Sequence, residues 1–489
     1  SNVAVGSLAL DANTTASNNT AVGTSALGAN TTGTPNTAVG TNALASNTTG
    51  TRNTAIGLET LEANTTASYN TAIGHRAGEA NTSGAQNTSV GDSSLYLNTT
   101  GALNTSIGQG AMAANTTGDN NVAVGVAALD ANTTADNNTA IGTSALSANT
   151  TGTKGVAVGY QALAANTTAN NNVAIGYDAM VANTTGTGSA LGRDALKANT
   201  TGTMNTAIGL NALAANTTGG KNVALGEDAL DANTTASNNT AVGYAALSAN
   251  TADNNTAVGK EALDVNTTGD GNTGVGANAG GAVTTAYRGT FVGSGAFGAI
   301  TTGHRNTALG YSCGGTGVTA NHNTLLGAEC DVSADDANNQ IVLGYDCTGS
   351  GNGTITCGEG TTDSTMTLGG TTWSAPSDVR MKEEVETSTA GLGFINDLRP
   401  VTFKWKKEKD IPEELVSHKA DSEKRYKNDT VNHGFIAQEV KEVIDNHPEI
   451  KEGFDLWRED EKDGRQRVGA SALEIVLTKA IQELSAKVE

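Results

Sequence analysis

Most of the chain alternates short apolar runs with polar segments in a fixed register. In the unit "NNTAVGTSALGANTTGTP", residues 18–35, the β-favouring run Thr20–Val22 precedes a glycine, residues 25–27 form a second apolar run, and "ANTTG" follows as a polar turn. The glycine after the first run recurs from Gly6 to Gly344 as 21 anchors, at a spacing that is constant except for two steps that are shorter by one position. This self-similarity, at a period of about 17 residues, predicts many stacked copies of one structural turn.

Each unit predicts two strands of three or four residues, separated by glycine and asparagine, which is typical of a parallel β-solenoid or β-roll. A helical repeat is disfavoured, because threonine, valine and a glycine every few residues penalise helix. Turns stacked roughly 4.8 Å apart would form a rod on the order of 100 Å long. The sequence therefore predicts a mainly β protein whose repeats occupy residues 1–346.

The alternation of side chains along the strands predicts two apolar faces. Ala21 and Val22 should point to opposite faces, and so should Ala26 and Leu27, yet all four are apolar. A solitary solenoid needs only an apolar interior. The pattern therefore indicates that the second face packs against neighbouring chains.

The "NTAVG..AL" units resemble the head repeats of YadA-type trimeric adhesins in the N-x-A-[VI]-G core and the alanine that follows. The resemblance covers the repeats and hence most of the chain, and it implies a trimeric, left-handed parallel β-roll that binds surfaces. The family unit is shorter, so the "ANTTG" turn is enlarged in this chain.

The repeated "NTT" favours a ladder of Asn and Thr side chains that hydrogen-bond from turn to turn. Two alternatives stay open: a row of N-glycosylation acceptors such as Asn13, Asn30 and Asn47, and a regular threonine array that binds ice or carbohydrate.

Other polar residues of the repeats give little indication of catalysis or metal binding. A glycosidase needs two carboxylates about 5–10 Å apart in a cleft, but residues such as Asp11 and Asp231 occupy variable turn positions and predict a solvated face. His75, His304 and His322 are isolated in sequence and are expected to be surface residues. We expect no metal and no cofactor.

Four cysteines lie near the end of the repeats. They contain no C-x-x-C pair, so free small residues in tight turns are favoured over disulfides or a thiolate metal site. The cysteines are Cys313, Cys330, Cys347 and Cys357.

The composition changes after the repeats. Residues 347–376 predict a β-rich neck, and all three tryptophans and four of the five prolines lie from residue 373 onward. Residues 377–489 contain 19 of the 28 basic residues and 25 acidic ones, which predicts a separate α+β domain with a mixed-charge surface. Its end, "SALEIVLTKAIQELSAKVE", has helical apolar spacing and is interpreted either as a helix that packs on its own domain or as a self-associating one.

The formal charge of −21 argues against nucleic-acid or anionic-membrane partners. No apolar run approaches the roughly 18 residues of a transmembrane helix, and no signal peptide is recognised. Because the sequence opens with Ser1 inside a repeat rather than with Met, we expect a processed product or a fragment.

Three C-terminal segments, "SDVRMKEEVE", "GLGFINDLRPVTFKWK" and "HGFIAQEV", followed by "TKAIQELSAKVE", resemble the intramolecular chaperone domain of phage tail spikes and fibres, the peptidase S74 family. The resemblance spans residues 377–489. It implies a domain that trimerises, assists folding of the β-rich fibre, and then cuts itself off immediately before a serine with a Ser-Lys dyad.

By this resemblance, Ser377 would attack the carbonyl of Pro376 and Lys382 would accept the serine proton. A serine hydroxyl needs such a base, and lysine serves only when its amine is neutral, which the positive charge of Arg380 would favour. Asp378 also matches the motif. The alternative is that Ser377 is a helix N-cap and Lys382 a surface charge.

Four residues of the "HGFIAQEV" segment match the family pattern and are expected to be structural rather than catalytic: His433, Gly434, Gln438 and Glu439. The residue before the serine departs from the family pattern, because it is Pro376. The fixed φ of a proline restricts how the scissile carbonyl is presented.

The sequence thus predicts a homotrimeric virion fibre that recognises a host-surface glycan, a protein receptor or another surface. Its only enzymatic activity would be self-cleavage in cis. A cellular surface adhesin or extracellular filament is the main alternative, and a polysaccharide-degrading tail spike is a weaker one.

Overall fold

The computed structural model describes residues 1–375, 377–450, 454–460, 464–469 and 472–488. The chain divides between residues 376 and 377 into two compact units. We call them the solenoid unit and the C-terminal unit.

The solenoid unit is a parallel β-solenoid that contributes one short strand per turn, and each strand pairs in parallel with the next. In register, Ala21 lies beside Ala38 and Val22 beside Val39. The mainly β fold of 17-residue turns is therefore confirmed. The strands are β1 Val3–Val5, β2 Thr20–Val22, β3 Thr37–Val39, β4 Thr54–Ile56, β5 Thr71–Ile73, β6 Thr88–Val90, β7 Thr105–Ile107, β8 Val122–Val124, β9 Thr139–Ile141, β10 Val156–Val158, β11 Val173–Ile175, β12 Gly188–Leu191, β13 Asn205–Ile208, β14 Val223–Leu225, β15 Thr240–Val242, β16 Thr256–Val258, β17 Thr273–Val275, β18 Thr290–Val292, β19 Thr307–Leu309, β20 Thr324–Leu326 and β21 Ile341–Tyr345.

The prediction of a second strand in each turn was wrong. In residues 25–27, Ser25 and Leu27 adopt left-handed backbone conformations with φ of 58° and 50°. The backbone N–H of Ser25 donates to the carbonyl of Ser7 at 2.9 Å in the preceding turn, and that of Leu27 to the carbonyl of Ala43 at 3.0 Å in the following one. These bonds offset the cost of the left-handed residues.

Without a second strand, residues 26 and 27 do not contribute one side chain to each of two apolar faces. Ala26 and Leu27 are both buried inside the same chain, because strand alternation does not apply to them. Alternation holds in the true strand, where Ala21 is buried and Val22 is half-exposed. The residues that directly precede the anchor glycines therefore form a column of apolar side chains that faces outward.

The predicted Asn and Thr ladders are present. The side-chain amide of Asn47 donates to Asn30 Oδ1 at 2.8 Å and to the carbonyl of Gly50 at 3.1 Å, while Thr31 Oγ1 donates to the carbonyl of Thr48 at 3.1 Å. Asn30 and Asn47 are buried, so the interpretation of these two as glycosylation acceptors in the folded chain was wrong. Asn13, in the first turn, is half-buried and bonds to the carbonyl of Ala16.

Two strands follow the last anchor. Strand β22, Thr354–Glu359, continues the parallel sheet beside β21, and β23, Thr362–Thr367, pairs with β22 in antiparallel orientation. The β-rich segment thus extends the sheet of the solenoid unit.

The C-terminal unit mixes short helices with two antiparallel strand pairs, β24 with β25 and β26 with β27. Its core contains Phe394, Val440, Leu456 and Val476. Among the described helices, none is both long and apolar enough to cross a bilayer. The elements are α1 Leu392–Asp397, β24 Val401–Phe403, β25 Asn432–Gly434, α2 Ala437–Asn446, β26 Trp457–Glu459, β27 Gln466–Val468 and α3 Leu473–Val488, with 3₁₀ turns at Val379–Met381, Glu408–Asp410 and Pro448–Ile450.

The predicted C-terminal helix is α3. Val476 and Ala480 are buried, whereas Leu477, Ile481 and Leu484 are exposed. The helix therefore packs on its own unit along one side and leaves a second apolar side uncovered.

Candidate self-cleavage site

The segment that begins at Ser377 folds into a compact turn. Residues Val379–Met381 form a 3₁₀ turn, and Asp378 is its N-cap, because its Oδ1 accepts a hydrogen bond from the backbone N–H of Arg380 at 2.9 Å. The backbone N–H of Lys382 closes the turn by donating to the carbonyl of Val379 at 3.2 Å. The N-cap is thus Asp378 and not Ser377, which corrects the alternative reading of the serine.

This turn brings the two ends of the motif together. Lys382 Nζ lies 2.7 Å from Ser377 Oγ, and the hydrogen bond between them is the only side-chain partner of either group among the described residues. The distance is suitable for direct proton transfer between a hydroxyl and an amine. The pair therefore has the separation that a serine nucleophile and a lysine base would need.

Arg380 does not support the dyad in the expected way. Its guanidinium forms a paired hydrogen bond with Asp378, with Nε 3.0 and 3.1 Å from the two carboxylate oxygens. The guanidinium lowers the pKa of the Asp378 carboxyl through this hydrogen bond. Because the carboxylate offsets its charge, Arg380 exerts little net positive field on Lys382 in this arrangement.

The surroundings of the dyad are open to solvent in a single chain. Ser377 and Lys382 are both exposed, and so are the apolar side chains of Val379, Met381 and Val385. Pro376, the other half of the proposed scissile bond, lies outside the described residues. A site that shields a reacting lysine from water is therefore not complete within the described part of one chain.

The residues of the "HGFIAQEV" segment lie on β25 and α2. His433 is opposite Thr402 and Gly434 opposite Val401 in the pairing of β24 with β25. Glu439 forms an ion pair with Arg399.

Gln438 is exposed at the start of α2 and lines a groove beside Trp405 and Tyr426. Among the described residues, neither His433, Gln438 nor Glu439 forms a hydrogen bond with the dyad. Their contacts belong to the packing of the C-terminal unit.

Residues 377–447 match the family model described as the chaperone of endosialidase, Peptidase_S74. The C-terminal unit carries a chaperone-of-endosialidase domain. The match begins at Ser377, and it contains the dyad and all four residues of the "HGFIAQEV" segment discussed above. Helix α3 follows the matched part of the chaperone domain. Comparisons with curated proteins and with solved structures found no match.

The solenoid unit offers no comparable chemistry in its cysteines. All four are free thiols, and Cys313, Cys330 and Cys347 are buried. Burial raises the pKa of Cys313 to about 12 and that of Cys347 to about 11. These thiols therefore stay protonated at neutral pH, a form that is neither a good nucleophile nor a good metal ligand.

The carboxylates of the solenoid unit form one cluster among its described residues, made of Glu59, Glu62 and Glu79. Arg76 offsets part of its charge, since its guanidinium pairs with Glu79 and lies 3.6 Å from Glu59 Oε2. Burial, and then the charges of Glu59 and Glu79, raise the pKa of Glu62. A cationic side chain of the protein thus already pairs with two of the three carboxylates.

Proposed function

We propose that the protein is a homotrimeric virion fibre, a tail fibre or tail spike, that binds a glycan or protein receptor on a host surface. Its chaperone domain assembles the fibre and then cuts the bond between Pro376 and Ser377. The observation that carries the cleavage part of this proposal is the 2.7 Å contact between Ser377 Oγ and Lys382 Nζ.

The outward apolar column of the solenoid unit supports self-association. The residue before each of the 21 anchor glycines is Val, Ile or Leu, and Ile73, Ile107 and Ile141 are each 40% exposed. A continuous apolar stripe of this length is unfavourable in water and is characteristic of an interaction surface. Identical columns of two further copies are its natural cover, since all three share the same repeat distance.

Helix α3 repeats the same feature in the chaperone domain. Leu477, Ile481, Leu484 and Val488 are exposed and follow one another at steps of four, three and four residues, the spacing of a coiled-coil seam. A self-associating helix at this end would align three chains before the solenoid turns pair.

The cleavage chemistry follows from the dyad. Ser377 Oγ attacks the carbonyl carbon of Pro376 while its proton passes to Lys382 Nζ. The bond from that carbon to the Ser377 nitrogen then breaks, the nitrogen takes a proton back from Lys382, and the acyl group is left as an ester on Oγ. Water hydrolyses the ester to a Pro376 carboxylate and the free serine hydroxyl.

Assembly and cleavage are coupled in this proposal. Lys382 accepts a proton only in its neutral form, and desolvation is one cause that favours a neutral amine. The exposed Val379, Met381 and Val385 around the dyad would be covered when three chaperone domains meet, and the dyad would leave water with them. Cleavage is therefore expected to follow trimer formation.

The test compares the purified wild-type chain with Ser377→Ala and Lys382→Met by intact mass under denaturing conditions and by light scattering of the native protein. We expect the wild type to yield a fragment that ends at Pro376. Both variants should remain full-length, and all three proteins should have the mass of a trimer.

Ser388→Ala and Lys404→Met are matched controls that remove an exposed serine and an exposed lysine elsewhere in the chaperone domain. They should cleave like the wild type. A monomeric Ser377→Ala chain would contradict the separation of assembly from cleavage, and cleavage in Lys382→Met at the wild-type rate would exclude lysine as the base.

A further inference from the structure

A basic corner stands out on the acidic solenoid unit. We use this name for Tyr287, Arg288, His304, Arg305 and His322, which come from three consecutive turns. The solenoid unit has nine basic and 24 acidic residues, and two of its five arginines lie in this corner. The histidines are isolated in sequence, but stacking of the turns brings His304 and His322 beside the arginines, where His322 is exposed and His304 half-buried.

The corner is built by the register of the solenoid. Arg288, Arg305 and His322 each lie five residues before an anchor glycine and adopt left-handed conformations with φ of 57° to 58°. The backbone N–H of Arg305 donates to the carbonyl of Tyr287, and that of His322 to the carbonyl of His304, both at 3.0 Å. The two guanidinium groups and the imidazole of His322 therefore project from equivalent positions of adjacent turns.

The side chains of the corner form a stack. The rings of Tyr287 and His304 are 3.8 Å apart with an interplanar angle of 26°. Both guanidinium groups lie close to the Tyr287 ring, at 5.8 Å for Arg288 and 5.9 Å for Arg305, and Arg305 Nη1 is 3.2 Å from His322 Nε2. Both guanidinium groups thus lie within 6 Å of the centre of the same ring.

Asp270 lies in the preceding turn and its backbone carbonyl accepts a hydrogen bond from the N–H of Arg288, but no described ion pair joins its carboxylate to the corner. Neither Arg288 nor Arg305 forms a described ion pair, although Arg76 and Arg193 of the same unit do. Like charges at neighbouring positions of a sheet destabilise one another. An anion at this corner would relieve that repulsion.

The corner also contains a buried polar atom. His304 Nδ1 is shielded from solvent and has no hydrogen-bond partner in the described part of the chain. Burial lowers the pKa of His304, and the charges of Arg305 and His322 lower it further, so the ring experiences the positive potential of the corner. Buried polar atoms without a partner are uncommon and call for an explanation.

We infer that the basic corner is a binding site for an oxyanion group, the carboxylate or phosphate of an acidic surface polysaccharide. The two guanidinium groups would donate charge-assisted hydrogen bonds to the anion, and the half-buried rings of Tyr287 and His304 would contact the sugar to which it is attached. The inference deepens the proposed receptor binding and rests on it.

The test measures binding of the full-length Ser377→Ala chain to polygalacturonate, to linear polyphosphate and to neutral dextran by isothermal titration calorimetry. We expect one or both polyanions to bind and dextran not to bind. The preference between the two polyanions distinguishes a carboxylate from a phosphate ligand. The double variant Arg288→Gln/Arg305→Gln should bind at least about tenfold more weakly, since even one charge-assisted hydrogen bond is worth roughly that factor.

Lys154→Gln/Lys221→Gln is the matched control. Both lysines are exposed and also lie five residues before an anchor glycine, so the control removes the same charge from the same register but outside the stack. Equal weakening in the two double variants would show that only net charge matters and would overturn the site. Light scattering on the same samples separates this failure from failure of the proposed function, because a non-trimeric protein would contradict the fibre itself.

Discussion

The solenoid unit and the C-terminal unit are stabilised by contacts of different kinds. In the solenoid unit each turn bonds to a near copy of itself, as Asn132 does through its amide to Asn115 Oδ1 at 2.8 Å. In the C-terminal unit the contacts are unique, as in the bond from the backbone N–H of Leu392 to Glu483 Oε2 at 2.9 Å, 91 residues away along the chain. Repeated contacts can be re-formed after a slip of one turn, but unique ones cannot.

In the proposed trimer, this difference between repeated and unique contacts gives the two units different roles in assembly. A slip of one whole turn between solenoid chains would place alanine beside alanine and asparagine beside asparagine, at little local cost. Register must come from a part of the chain that has no internal repeat. The chaperone domain provides such a part, and this supports the proposed order of assembly first and cleavage second.

The largest contrast is expected for alanine substitutions of glycine, measured by hydrogen exchange in the uncut Ser377→Ala background. Gly159 has a φ of +135°, and an added Cβ would lie 2.3 Å from the carbonyl oxygen of Gly176. Because backbone cannot move aside, Gly159→Ala should lower the local free energy of unfolding by more than about 4 kcal/mol.

Gly393 is the counterpart in the C-terminal unit. It lies in α1 and has no heavy atom within 4 Å of an added Cβ. Gly393→Ala should be neutral or stabilise by up to about 1 kcal/mol. Equal protection factors for the two variants would refute the claim that backbone stacking is tighter in the solenoid unit.

The same contrast shows how far the sequence could predict the structure. The anchor glycines and the Asn and Thr ladders followed from the repeat, because stacking multiplies a weak local preference by 21 turns. The left-handed Ser25 and Leu27 did not follow, since neither residue favours that conformation and only bonds to both neighbouring turns impose it.

In the candidate site, the approach of Ser377 to Lys382 was predictable from a five-residue spacing in a known motif. The pairing of Arg380 with Asp378 was not predicted, although two oppositely charged residues two positions apart in a turn are a visible signal for it. The basic corner was missed because His304 and His322 belong to different turns and lie one position out of register, and they meet only when the turns stack.

A second, smaller effect is expected for the asparagine ladder. Asn132→Ala removes the bonds to Asn115 Oδ1 and to the carbonyl of Ala135 at 3.1 Å, and it takes from the buried amide of Asn149 one of its two acceptors. Hydrogen exchange should report a local loss of about 2–3 kcal/mol. Thr134→Ala, an exposed neighbour whose side chain has no described hydrogen bond, should change exchange by less than about 0.5 kcal/mol. A similar loss in both variants would mean that the hydrogen bonds of the ladder contribute nothing to the local free energy of unfolding.

A third effect concerns a place where the solenoid core departs from its repeat. Ser94 Oγ donates to Ser106 Oγ at 2.7 Å, and Ser89 Oγ donates to the carbonyl of Ser94 at 2.7 Å, in columns that are mostly alanine elsewhere. Ser94→Ala alone should cost about 1 kcal/mol, because it breaks a satisfied buried network. Replacing all three serines by alanine should be nearly neutral in thermal unfolding. A triple variant clearly less stable than the single one would show that the serines stabilise the turn beyond their mutual bonds.

The smallest effect is a change in the difference in stability between the two units on acidification from pH 5 to pH 3. Burial raises the pKa of Asp130, Asp231 and Asp264 above the unfolded value near 3.8, so the folded solenoid binds protons first and gains stability as the pH falls.

In the C-terminal unit, hydrogen bonds from Lys407 and Lys409 lower the pKa of Glu423 from 4.5 to about 2. The stability that this carboxylate contributes is present above pH 4.5 and is lost as the pH falls toward 2. Calorimetry of the Ser377→Ala chain should therefore show the transition of the C-terminal unit moving down in temperature while that of the solenoid unit does not. Glu423→Gln should reduce the downward shift of the C-terminal transition. Asp130→Asn should change only the pH dependence of the solenoid transition. If both transitions moved down together, these partly buried aspartates would not bind protons more tightly in the folded solenoid than in the unfolded chain.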